Sequence, residues 1–138
     1  MWWFYAILSA IFASLTAIFF FFCVANINSN LATGIRTVVV LVMIWLIILL
    51  KGETKGMTAL SKQNIIFLIL SGIATGLSWL FYFKALQTGN VSQVAPIDKL
   101  SLALTIILAI IFLGETLTIK TAIGASLIIA GTLVLAIN

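Results

Sequence analysis

The stretch VAPIDKLSLALTIILAIIFLG, residues 94 to 114, decides how this chain is read. After Lys99 come fourteen residues without a charge, Leu100 to Leu113, and then Gly114. At 1.5 Å rise per residue, a helix of that length covers about 21 Å, short of the ~30 Å hydrocarbon core of a bilayer. A spanning helix must therefore begin earlier, near Ser92, and it takes Asp98 and Lys99 below the lipid headgroups. Arg36 makes the same case independently, because only fourteen residues separate it from the next charge, Lys51.

The rest of the chain agrees that lipid is the solvent. Of 138 residues, 64% are hydrophobic and 7% charged, against roughly 25% charged in soluble domains. Five segments are long and apolar enough to cross: about 2–25, 31–50, 65–86, 92–113 and 119–137. The expected fold is all-α, a polytopic membrane protein of five transmembrane helices in one domain, 1–138. The runs are continuous and do not alternate, which argues against a β-barrel. Only KGETKGMTALSKQ, residues 51 to 63, links two spans by more than ten residues, so successive helices are antiparallel neighbours. The tripeptide GET closes a helix twice on the same side, at Gly52 and Gly114, and is too short to count as a repeat. The start, MWWFYAILSA, lacks the basic region of a cleavable leader, and Trp2, Trp3 and Tyr5 read as an interfacial aromatic belt.

Several functions are disfavoured on composition. The formal charge of +4 is scattered, with no basic run, which gives no reason to expect a nucleic-acid partner. One cysteine, Cys23, and no histidine exclude an internal disulfide and argue against zinc or haem. No catalytic constellation or phosphate loop is present, so no enzyme activity and no cofactor are expected. The side carrying the amino terminus holds Lys51, Lys55, Lys62 and Lys120; the other holds Arg36, Lys84 and Lys99. This weak bias favours a cytoplasmic amino terminus if the chain adopts one orientation, and it also permits insertion both ways.

The charges inside the spans are the candidate site. Side chains i and i+1 on a helix point about 100° apart and pair poorly, so Asp98 is expected to meet Lys84 or Arg36 and not Lys99. Arg36, Lys84, Asp98 and Lys99 sum to +2, which favours an anionic group such as a carboxylate. On the third helix Ser71, Thr75, Ser78 and Tyr82 share one face near Trp79, beside Gly72 and Gly76, a small-residue pair read as a packing seam that allows close helix approach. A polar stripe should face the bundle interior or water. Simpler readings stand beside these: Asp98 as a first-turn acid after Pro96, lysines anchored in headgroups, hydroxyls bonded to their own helix. Ala6, Ala10, Ala13 and Ala17 on the first helix, and Gly124, Leu127 and Gly131 on the fifth, read as packing seams, the fifth between two copies.

The run IDKLSLALTIILAIIFLGETLTIKTAIGASLIIAGTLVL, residues 97 to 135, resembles the carboxyl-terminal part of an EamA domain of the drug/metabolite transporter superfamily. SGIATGLSWLFYFKALQTGNVSQVAPIDKL, residues 71 to 100, resembles that family's third helix and the start of its fourth, and NSNLATGIRTVVV its second. The first helix departs: SLTAIFFF has Ala17 and Phe21 where members often carry a proline and a lysine. The resemblance implies a carrier of small metabolites, often amino acids. Most members have ten helices in two inverted halves; a single five-helix unit can reach that plan as a homodimer, possibly antiparallel. The chain also resembles the small multidrug resistance proteins, but Met1 to Ile35 contains no acid, which argues against their cation export.

The expectation is an inner-membrane transporter, a ten-helix homodimer working by alternating access on an amino-acid-like solute. Its pathway would run between the third-helix stripe and the four charges, walled by Trp79 and Tyr82. Asp98 would take a proton or a cationic group, and Lys99 or Arg36 a carboxylate. The alternative is an accessory or scaffold subunit with no transport of its own.

Overall fold

The computed structural model describes residues 1–24 and 27–137. The described residues form no strand; their helices are α1 Trp2–Val24, α2 Ser29–Lys51, α3 Lys62–Thr88, α4 Val91–Asp98, α5 Leu100–Leu113 and α6 Ile119–Ala136. A 3₁₀ segment, Glu53–Ala59, joins α2 to α3. Helices α4 and α5 together make one span, so five spans of 18 to 27 residues are long and apolar enough to cross a membrane. The helix ends lie within about three residues of the span limits expected from the sequence. The expected end of the first span at Ala25 lies outside the described residues.

Local chemistry sets these ends. The side chain of Asn28 caps α2 by accepting the Asn30 N–H at 2.9 Å, and Thr118 caps α6 through the Thr121 N–H at 3.2 Å. Gly52 and Gly114 both adopt left-handed φ, 67° and 69°, and close α2 and α5. The two GET tripeptides thus share a local cause, a helix stop that needs a residue without Cβ. We expect Gly114→Ala to destabilise the folded protein by about 1–2 kcal/mol, read as a lower unfolding midpoint in detergent.

The apolar side chains point outward. Phe81 is 74% exposed and Leu50 79%, which in water would be an untenable surface and in hydrocarbon costs nothing. Two compact units are distinguished, residues Met1–Phe19 with Thr88–Asn138, and residues Phe20–Gln87. In the first, α4 and α5 both pack on α6. Pro96 lacks an N–H, so it cannot donate to the Ser92 carbonyl, and the helix breaks three residues later at Lys99. There the Lys99 N–H donates to the Pro96 carbonyl at 2.9 Å. The buried Thr132 of α6 donates its Oγ1 hydrogen to the same carbonyl at 3.3 Å.

The second unit is held by aromatic packing. The rings of Phe20 and Phe83 lie 4.1 Å apart at 32°. Val24, Ala32 and Leu86 are buried in the same unit. The Gln87 Nε2 donates to the Ile27 carbonyl at 3.0 Å, tying the end of α3 to the turn before α2.

Candidate functional site

Within the second unit, α2 and α3 bound a cleft of about 600 Å³. Helix α2 contributes Asn30, Thr33, Gly34 and Thr37; α3 contributes Ser71, Gly72, Thr75, Gly76 and Trp79, with Leu68 and Leu80 at its edges. The α2 residues fall at helical spacing of three and four, so one face presents them together. The glycines leave the floor open: a Cβ added at Gly34, Gly72 or Gly76 would meet no atom within 4 Å. Sequence reading named the α3 side and missed the α2 side, although the spacing Asn30, Thr33, Thr37 around Gly34 was there to be read.

Three hydroxyls in the lining bond back to their own helices. Thr33 Oγ1 donates to the Ser29 carbonyl at 2.8 Å, Thr37 Oγ1 to the Thr33 carbonyl at 2.8 Å, and Thr75 Oγ1 to the Ser71 carbonyl at 2.9 Å. For Thr75 this is the simpler of the two readings of the stripe, and it coexists with a place on the cleft. Ser78 and Tyr82 lie outside the lining; Tyr82 stacks edge-on with Phe83 at 5.2 Å.

Arg36 stands on the adjoining face of α2. Its guanidinium carbon lies 4.1 Å from the centroid of Phe83 and 4.7 Å from that of Trp79. Among the described residues its Nε and Nη1 are buried and find no acceptor. The rings supply their negative π faces to the cation and fix its plane, but they leave those edge hydrogens unspent. Trp79 serves twice, facing Arg36 and lining the cleft. An expected partner of Asp98, Arg36 is held by aromatic rings instead.

Asp98 pairs with Lys99, and this corrects the expectation that adjacent charges could not. Lys99 Nζ lies 3.2 Å from Asp98 Oδ2, with both side chains partly open to solvent. Lys99 keeps a helical φ of −71°, so the two Cβ directions still diverge, and the long flexible lysine stem closes the gap. Lys84 Nζ donates to Gln87 Oε1 at 3.5 Å, one turn along α3. Arg36 and Lys84 thus lie in one unit, and Asp98 and Lys99 in the other.

The small-residue faces are largely uncovered within the chain. Of the alanines on α1, Ala17 is buried, while Ala6, Ala10 and Ala13 are exposed. On α6, Leu127 is 67% exposed, and Cβ positions built at Gly124 and Gly131 meet nothing within 4 Å. Among the described residues, no atom lies within 4 Å of a Cβ built at Gly72 or Gly76.

Residues 1–137 match the EamA-like transporter family. A Sinorhizobium protein named "Uncharacterized transporter in cobO 3'region" is 47% identical over 136 residues, covering 99% of this chain and 96% of that one. That relative is therefore also about one five-helix unit long. An uncharacterized protein of Methanocaldococcus jannaschii is 35% identical over 97 residues, covering 70% of this chain and 69% of its own. No solved structure gives a significant match.

Proposed function

The chain belongs to the EamA-like transporter family, and on that premise we propose that it carries small polar, amino-acid-like solutes across the membrane by alternating access. The observation that carries this reading is the α2–α3 cleft, a largely apolar concavity with Asn30, Ser71 and three threonines in its lining, beside a guanidinium with unspent donors. A charge in the middle of a span is costly, and such residues are commonly functional. Arg36 would recognise the carboxylate of the solute, and Trp79 would wall it. The Asp98–Lys99 pair, in the other unit, would be a second charged element of the pathway.

The transporting form would be a ten-helix homodimer, possibly antiparallel, in the inner membrane. Five spans per chain put two fused copies in opposite orientations, and an unfused chain reaches that arrangement by pairing with itself. The uncovered glycines of α6 offer a seam, and the near-balance of basic residues, four against three, permits both orientations. If one orientation prevails, the side bearing Lys51, Lys55, Lys62 and Lys120 would be cytoplasmic.

Purified protein in liposomes, assayed for uptake of labelled neutral amino acids, tests the reading. Saturable flux is expected, and Asp98→Asn should slow it while leaving insertion and dimerisation intact. Unchanged flux in that variant would remove Asp98 from the pathway. A well-folded chain with no flux of any amino-acid-like solute would instead describe an accessory subunit.

A further inference from the structure

We infer that this conformation holds Arg36 in a closed state, and that Phe83 is the gating residue whose ring must leave the guanidinium before a carboxylate can reach it. The purpose of such a gate rests on the transport reading; its geometry is that of the α2–α3 packing alone. A guanidinium donates hydrogen bonds in its own plane, from its edges, and meets aromatic rings with its faces. The ring contacts are made: Phe83 lies 4.1 Å from the guanidinium carbon and Trp79 4.7 Å. The edge contacts are not. Nε and Nη1 are buried, and among the described residues neither has an acceptor.

Buried donors without acceptors are uncommon, and those of a charged group are costly. A carboxylate of the same unit cannot relieve them. Glu53 is the one acid in Phe20–Gln87, and it stands seventeen residues beyond Arg36, about 25 Å away at helical rise. The acceptor must therefore come from outside the unit. Atoms closed to water are closed to a carboxylate as well, so a covering side chain has to move first. Trp79 borders the cleft and is half-buried. Phe83 is the nearer ring, is 1% exposed, and is backed by Phe20 at 4.1 Å. It is the cover that closes the site.

Arg36 is the only arginine in the chain, so its reaction with phenylglyoxal is read directly by mass spectrometry of the purified protein. The reagent bridges two guanidinium nitrogens, and a buried Nη1 blocks it. If the open form is a minor state of about 0.1–10%, wild-type protein reacts at least tenfold more slowly than N-acetylarginine amide in the same detergent. Phe83→Leu keeps an apolar side chain without a ring, and should recover most of that difference. Leu86→Val weakens the core of the same unit, leaves both rings on Arg36, and should react as slowly as wild type. Acetate should slow the reaction in Phe83→Leu protein and have little effect on wild type, where few molecules are open.

A wild-type rate equal to that of the free amide would overturn the closed state. A Phe83→Leu rate no higher than wild type, or one matched by Leu86→Val, would overturn the role of Phe83. Should the leucine variant fail to fold, Phe83→Met carries the same comparison. Fast reaction in Phe83→Leu that acetate does not slow keeps the gate and removes carboxylate recognition. Equal slowing by acetate in both proteins keeps recognition and removes the gate.

Discussion

Arg36→Ala is expected to lower solute flux by roughly 100-fold while the chain inserts into membranes at least as well as before. The flux loss follows from removing the one guanidinium placed to meet a carboxylate; truncating a buried, hydrogen-bonded charge partner costs about 2–5 kcal/mol of binding. The insertion result has the opposite sign for a separate reason. A charged residue costs about 2.5–3.5 kcal/mol at the centre of a spanning helix and less at the shallower depth of Arg36, and the stacks on Phe83 and Trp79, worth about 0.5–2 kcal/mol each, offset that cost only once α3 has packed beside α2. A residue that helps function and burdens insertion is hard to explain as scaffold. Arg36→Lys should also fail to restore full flux, because an ammonium keeps the charge but loses the planar face between the rings and the paired edge donors. Parallel measurement of uptake rate and of membrane-inserted protein checks both signs; full activity in the alanine variant would remove Arg36 from recognition.

Gly72 gives the second large effect. A Cβ there meets nothing within 4 Å, so Gly72→Ala should be accommodated and should stabilise α3 by about 1 kcal/mol through helix propensity. Gly72→Leu extends the same vector into the cleft and fills part of it. Flux should fall by more than about tenfold, because the solute loses contact with the far wall, a misplacement effect of the size seen when reacting groups are displaced by an ångström. Stability should remain close to that of the alanine variant, since the added atoms enter open space. If the leucine variant transports normally, the solute does not pass through the α2–α3 cleft.

Much of this architecture is legible in the residues, because lipid imposes a length and a polarity on every span. Fourteen apolar residues after Lys99 are too few to cross alone, and α4 with α5 completes the span as that shortage requires. The break at Lys99 is harder to foresee. A proline early in a helix is usually tolerated, and at the break the Pro96 carbonyl takes the Lys99 N–H and the Thr132 hydroxyl, a partner thirty-six residues away. The pairing of Asp98 with Lys99 was misjudged because the spacing rule counts Cβ directions and not the reach of a lysine stem. The aromatic seat of Arg36 depends on α3 lying beside α2, a long-range juxtaposition that spacing within either helix does not disclose. The α2 side of the cleft goes unread in the sequence because Thr33 and Thr37 gain a common setting with Ser71 and Thr75 only once α3 lies beside α2. Thr33 and Thr37 both bond back to their own helix.

The central claim is that water and solute reach the α2–α3 cleft from outside the lipid. Labelling of Ser71→Cys by a membrane-impermeant thiol reagent, in a Cys23→Ser background, tests it most directly, with transported amino acid added or withheld. The cleft predicts ready labelling from the aqueous phase that saturating amino acid slows. A cysteine that resists the reagent, or one labelled at the same rate with and without the amino acid, would contradict it.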